Sequence, residues 1–370
     1  MTLHLNELEV VQMKLLGGAD SVVVGDLSGT DVKQVVVDLT ALAGGGDGQA
    51  DSVTANGTLA ADSIVVDDAG SSVQVGGLAA GVDIQGAEAL NDRLVLNGLG
   101  GNDVIDASRL DAGRLSLTIN GGLGDDVLTG SAGNDSLVGG DGADVALMGA
   151  GNDTFSWNPG DDNDVVDGQA GSDTLLFTGS NVSEIVDITA TAGRAVLTRN
   201  VASVVMDTND VETIDFKALG GADQVSVRDL SGSDVRQVRI DLAAAGGTGD
   251  AQADIVTIEG TQGNDVAVLS LSGGTLIIGG LATQVVITGF EAGSDQLVFK
   301  GLGGDDLVDA SALPANVMRL LIDGGAGNDI LIGGAGADVL VGGDGDDVLI
   351  GGPGVDVLDG GAGSNVVIQG

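Results

Sequence analysis

The stretch GGAGNDILIGGAGADVLVGGDGDDVLIGG, Gly324 to Gly352, decides how the chain reads. Asp329, Asp338 and Asp347 fall nine residues apart, each behind a glycine-rich run and ahead of three apolar residues. The array continues as GGPGVDVLD and GGAGSNVVI, and no Lys or Arg follows Gly324. A sister array from Gly121 reads GGLGDDVLT, GSAGNDSLV, GGDGADVAL, MGAGNDTFS. Each unit is a nonapeptide G-G-x-G-x-D-x-U-x, where U is large and apolar.

Nine such residues have a definite physical reading. The glycine-rich six permit a tight turn with positive φ. The x-U-x triplet makes a short strand whose middle side chain points away from its neighbours. Two nonapeptides then close one flattened coil of 18 residues, with Leu128, Leu137, Ala146 and Phe155 facing inward in the first array. Leu331, Leu340, Leu349, Leu358 and Val367 do so in the second. Turns two repeats apart stack about 4.8 Å from each other. Asp126 therefore neighbours Asp144, Asp135 neighbours Asp153, Asp329 neighbours Asp347, and Asp338 neighbours Asp356. Carboxylates that close repel strongly where water is scarce, and protonation relieves this only toward acid pH. A divalent cation relieves it at neutral pH. Backbone carbonyls of the glycine turns complete an all-oxygen shell, which suits Ca²⁺ better than Mg²⁺ or a transition metal. The expected carbonyl-bearing turns carry Gly121, Gly124, Gly133, Gly139, Gly142 and Gly151. In the second array they carry Gly324, Gly327, Gly333, Gly336, Gly342, Gly345, Gly351 and Gly354.

Composition agrees. The 370 residues carry a net charge of −42, which disfavours nucleic acid and anionic membrane surfaces as partners. Of the acids, 48 are Asp and seven are Glu. That imbalance suits turns and hard-cation ligation, not solvated helix. With 43% hydrophobic residues the chain is too apolar for a disordered linker. No cysteine is present, which excludes disulfides and thiolate sites. No apolar run is long enough to span a membrane. The opening MTLHLNELEVVQMKLLGG lacks the features of a cleaved secretory signal, so export requires another route.

The chain is also a tandem duplication. LGGADSVVVGDLSGTDVKQVVVDL from Leu16 returns as LGGADQVSVRDLSGSDVRQVRIDL from Leu219, and GLGGNDVIDAS from Gly98 as GLGGDDLVDAS from Gly301. Each pair is 203 residues apart, so one copy covers about 1–203 and the second 204–370. The expected fold class is all-β, a parallel β-roll or β-solenoid in two tandem units. Its segments are a degenerate solenoid over 1–120, a calcium roll over 121–177, a connecting segment and second degenerate solenoid over 178–323, and a second roll over 324–370. Asp20, Asp51, Asp62 and Asp92 begin longer coils and read first as turn formers. Asp103 and Asp306, each leading into a regular array, stand between turn former and ligand.

The nonapeptides resemble those of the RTX (repeat-in-toxin, haemolysin-type) calcium-binding proteins. The stretch FSWNPGDDNDVVDGQAGSDTLLF, Phe155 to Phe177, looks like the irregular turns that extend such arrays, with Asp164 and Asp173 in ligand-like places. The resemblance implies a right-handed parallel β-roll with Ca²⁺ between turns, type I secretion, and folding after export into calcium-rich surroundings. The ligand set it implies is Asp126, Asp135, Asp144, Asp153, Asp164, Asp173, Asp329, Asp338, Asp347 and Asp356. Asn365, Ser131 and Met148 depart from the pattern and mark edges expected to bind weakly or not at all.

Catalytic material is scarce. A Ser–His–Asp arrangement would need His4, the one histidine. Paired carboxylates could serve a glycosidase, and Arg93, Arg109 or Lys300 a polysaccharide lyase or epimerase, but one Trp and five Phe offer few sugar platforms. Trp157 reads as edge packing of the first roll. An EF-hand at DDNDVVDG lacks its closing Glu, and no helix follows the glycine turns to make a dinucleotide loop. The expectation is a non-enzymatic, secreted or cell-surface calcium-binding protein; a polysaccharide-modifying enzyme and a calcium-dependent adhesin or surface-layer component are the alternatives. Ile330, Ile332, Val339, Val341, Val348 and Ile350 give the second roll an apolar outer face, expected to meet the solenoid, another copy or a second protein.

Overall fold

The computed structural model describes residues 7–370, so His4 lies outside the described residues. The chain divides into two compact units, Met1–Leu175 and Leu176–Gly370. That boundary precedes the one the sequence repeat suggests at 203 and falls within the strand Thr174–Thr178. Among the described residues every regular element is a strand. Alternating β-branched residues favour the pleat, and glycine-rich runs interrupt it every few residues.

In the first unit, Ser21–Val24, Ser52–Asn56, Arg93–Gly100, Ser116–Leu123, Asp135–Asp141 and Thr154–Trp157 pair in parallel, each with the next. A second parallel stack joins Val104–Arg109, Val127–Thr129, Val145–Leu147 and Asp164–Asp167. The second unit repeats this plan at the 203-residue offset. Leu307–Asp309, Ile330–Ile332, Val348–Ile350 and Val366–Ile368 form one stack. Arg319–Ala326, Val339–Asp344 and Val357–Asp359 form the end of the other. Leu128 stands opposite Ala146 and Leu331 opposite Leu349, so the regular coil is 18 residues long.

The longer coils stack in parallel as expected, and they also carry antiparallel excursions. Ser63–Asp68, Ser72–Gly76 and Gly81–Gln85 form an antiparallel meander, repeated as Val266–Ser272, Thr275–Gly279 and Gln284–Thr288. The second unit has a third such excursion: Ile185–Thr191, Arg194–Arg199 and Val204–Asn209. A coil with residues to spare folds them into hairpins, which satisfy the extra backbone donors locally.

The core is a column of inward side chains. Leu128, Leu137, Ala146, Phe155, Leu331, Leu340 and Leu349 are all fully buried. Each fully buried Leu contributes about 1.5–3 kcal/mol, which three-residue strands need because they are marginal alone. The expectation fails at the last coil, where Leu358 is half-buried and Val367 is 48% exposed. Among the described residues that coil pairs with Val339–Asp344 and Val348–Ile350 alone.

Candidate metal sites

The aspartates stand in ladders of main-chain to side-chain hydrogen bonds. The Asp126 N–H donates to Asp144 Oδ1 at 2.8 Å, and the Asp144 N–H to Asp164 Oδ1 at 3.0 Å. On the opposite edge the Asp135 N–H donates to Asp153 Oδ1, and the Asp153 N–H to Asp173 Oδ1, both at 2.8 Å. In the second unit Asp329 donates to Asp347 Oδ1 and Asp338 to Asp356 Oδ1. The spacings are the 18 and 20 residues of stacked turns, so the neighbours read from the sequence do meet.

The ladders extend beyond the arrays, through coils of other lengths. Asp62 donates to Asp103 and Asp103 to Asp126, 41 and 23 residues apart. Asp265, Asp306 and Asp329 repeat this. Asp20, Asp51 and Asp92 form another ladder, as do Asp223, Asp254 and Asp295. A second ladder, unforeseen, runs the other way through the residue before each aspartate. The N–H of Ala143 donates to Asp125 Oδ1, Asn152 to Asn134, Asp346 to Asn328 and Ser364 to Asp346. The signal was the recurrent Asn or Asp at the fifth repeat position.

The second carboxylate oxygen separates the aspartates into two classes. In Asp103, Asp126, Asp144, Asp153, Asp164, Asp306, Asp329 and Asp347, Oδ2 is buried with no hydrogen-bond partner. A Cβ added at Gly121 would collide with Asp126 Oδ2 and the Gly139 carbonyl oxygen. One at Gly324 would meet Asp329 Oδ2 and the Gly342 carbonyl, and one at Gly342 would meet Asp347 Oδ2 and the Gly360 carbonyl. Carboxylate and carbonyl oxygens thus converge on a space that only glycine leaves open. Gly139 and Gly351 line the same space beside Asp144 and Asp356. Gly124, Gly142, Gly151, Gly327, Gly345 and Gly354 take the positive φ that shapes these open turns.

The other class closes on itself. Asp135 accepts the Ser131 N–H on Oδ2 at 2.5 Å and the Ser131 hydroxyl on Oδ1 at 2.9 Å. Asp338 Oδ2 accepts the Gly334 N–H at 2.7 Å. Thr58 does the same for Asp62, Thr261 for Asp265, Glu88 for Asp92 and Glu291 for Asp295. Gly133 and Gly336 lie in the closed turns and lack a positive φ; Gly333 still faces the Gly351 carbonyl and Asp338 Oδ2, so the bonded Oδ2 is what sets this class apart. In the last coil, amides stand where open turns keep an oxygen. Asn365 Nδ2 donates to the Gly360 carbonyl at 2.7 Å, and Gln369 Nε2 to Asp356 Oδ2 at 2.8 Å.

Burial acts directly on these carboxyls. It pushes Asp126 up to about 6, with the charges of Asp103 and Asp125 adding to it. Asp144 rises to about 7 and Asp164 to about 8, again chiefly by burial, with neighbouring aspartates next among the raising causes. Asp153 and Asp306 rise to about 6, and Asp329 moves upward too. Asp135 reaches about 6 by burial, although its Ser131 bonds pull the other way.

The donor set fits a hard divalent cation. Among the described residues no group of three or more Asp, Glu, His or Cys forms a ready cage, so carbonyl oxygens must supply most of a shell. An orphaned carboxylate oxygen beside a converging carbonyl is the start of one, and calcium accepts six to eight such oxygens. Among the described ion pairs none involves Asp126, Asp144, Asp164, Asp329 or Asp347. Of the basic residues weighed as catalytic partners, Arg109 pairs with Asp67 and Lys300 with Glu259. Trp157 is fully buried and donates its indole N–H to the Asp162 carbonyl. On the outer face of the second roll Ile330 is 42% exposed, while Ile332, Val339, Val341, Val348 and Ile350 are half-buried.

Against models of known families, residues 95–109, 118–155, 160–177, 321–340 and 332–367 match the RTX calcium-binding nonapeptide repeat. A search of curated proteins returned no match. The matched residues hold every open turn named above except that of Asp306.

Proposed function

We propose that this chain, an RTX calcium-binding repeat protein, is a secreted, non-catalytic structural or surface-associated protein whose rolls order on binding calcium. The observation that carries the reading is the row of buried, partnerless Oδ2 atoms, which at Asp103, Asp126, Asp306, Asp329 and Asp347 face glycine carbonyls. An unmet buried charge costs several kcal/mol, and it recurs at each open turn. When bound, calcium supplies the positive charge these oxygens lack. The Asp126, Asp144, Asp153, Asp329 and Asp347 carboxylates would hold it together with turn carbonyls. Binding energy then becomes folding energy. Affinities of about 10⁻⁴–10⁻³ M are typical of extracellular modules, and that range fits export before folding.

Circular dichroism during calcium titration of the chelated chain tests this. β-structure is expected to grow cooperatively with calcium in the millimolar range, and a full β-spectrum in chelator rejects the reading. The apolar outer flanks from Ile330 to Ile350 support self-association of the calcium-loaded form. Light scattering is expected to give more than the 36.1 kDa monomer mass. A monomer at high concentration in calcium removes that part of the reading.

A further inference from the structure

The coil that opens the second unit contains a ladder rung outside every matched repeat. The Glu184 N–H donates to Asp223 Oδ1 at 2.8 Å, as Asp126 does to Asp144. Five residues before Glu184 stands Gly179, where an added Cβ would collide with Glu184 Oε2 and sit 2.9 Å from the Lys217 carbonyl oxygen. GSNVSE, Gly179 to Glu184, is thus built like an open turn, with glutamate in the aspartate's place.

This rung has a cation of its own. Arg199 ends the middle strand of the antiparallel excursion, and its Nε donates to Glu184 Oε1 at 2.7 Å. Its Nη2 reaches the same oxygen and donates to Ser180 Oγ at 3.0 Å, while the Ser180 hydroxyl donates to Glu184 Oε1 at 2.7 Å. The pair is sealed from water, with side-chain exposures of 3% for Arg199 and 0% for Glu184.

We infer that Arg199 is a built-in cation that holds the rung at Glu184 without calcium. The guanidinium stays charged at every physiological pH and presents its donors in a fixed fork. The extra methylene of glutamate lets the carboxylate reach that fork while Oε2 stays beside Gly179. The excursion Ile185–Asn209 then has a purpose: it carries Arg199 back over the turn. From Leu115 to Gly193 the chain has no Lys or Arg, so the first array has no such donor of its own. The inference rests on the reading that the open aspartate rungs require calcium.

Hydrogen exchange of the full chain tests it, in chelator and in millimolar calcium. In chelator the amides of Ile185–Val227 are expected to stay protected while those of Gly324–Ile368 exchange freely. In Arg199→Gln, protection of Ile185–Val227 should fall by at least about 100-fold in chelator and return with calcium. Equal losses in both conditions would mean that Arg199 serves packing alone and would overturn the inference. So would a wild-type Ile185–Val227 that exchanges as fast as the roll in chelator. If Arg199→Gln folds in neither condition, the double variant Glu184→Gln/Arg199→Gln decides. With the Glu184 charge removed together with its partner, it should regain protection in chelator to the wild-type level, and its failure to do so also overturns the inference. A roll that stays protected in chelator sinks the calcium reading instead, and that outcome is separate.

Discussion

Asp126 and Asp135 sit nine residues apart in one coil, behind nearly the same words, yet their carboxylates live differently. Asp126 leaves Oδ2 bare beside the Gly139 carbonyl, whereas both oxygens of Asp135 are bonded to Ser131. The second unit repeats the contrast with Asp329 open and Asp338 closed by Gly334, although no serine is present there. The cause lies in the preceding coil on the same edge. Asp126 follows the glycine turn Gly98–Asp103. The turn of Asp135 instead follows an irregular bend, where the Ala132 N–H donates to the Leu110 carbonyl. In the second unit the Ala335 N–H donates to Leu313 and Gly334 packs on its Cβ. At these two rungs, where the preceding coil lacks the glycine turn, the aspartate turns inward and caps its own loop.

If open rungs dominate, their burial sets the largest response, which is to pH. Asp144 and Asp164 are held near 7 and 8, far above the unfolded value of about 3.9. The metal-free fold therefore binds more protons than the unfolded chain between about pH 4 and pH 8. The stability these carboxyls contribute is fullest below about pH 4 and drains away as pH rises through that window. In chelator the thermal midpoint should fall steadily from pH 5 to pH 8. In calcium the trend should reverse, because binding requires the deprotonated carboxylates and releases their protons. A chelated midpoint that climbs with pH would mean that the open carboxyls are not the controlling groups.

The sequence disclosed the 18-residue coil, the inward leucines and the neighbouring aspartate pairs because all three follow from the local period. It did not disclose the two classes of turn. GGAGADVLV around Asp338 and GGAGNDILI around Asp329 are almost the same word, and what separates them is the coil before. That information is non-local, carried by the bends at Leu110 and Leu313. The antiparallel meanders were hidden for a similar reason: alternating β-branched residues specify a strand but not its direction. Gly179–Glu184 escaped notice because it keeps one glycine of the motif and replaces Asp by Glu. The departure at Asn365, by contrast, was legible, since a single carboxamide changes what the turn can hold.

Asn365 also suggests the sharpest test of the two classes, with the smallest expected effect. Its Oδ1 accepts the Asp347 N–H at 2.8 Å, and its Nδ2 donates to the Gly360 carbonyl. Asp347→Asn should copy that arrangement, with Oδ1 keeping the Asp329 N–H and the new NH₂ facing the Gly360 carbonyl. Stability in chelator is expected to rise by about 1 kcal/mol, while calorimetry counts about one calcium fewer. Asp338→Ala should do the opposite. Its Oδ2 accepts the Gly334 N–H, so truncation leaves that donor unpaired and costs about 1–3 kcal/mol. The calcium count should stay as it was. Equal effects of the two substitutions on stability and on calcium would erase the distinction between open and closed turns. Opposite signs would place the metal at the turns stacked on both sides by glycine.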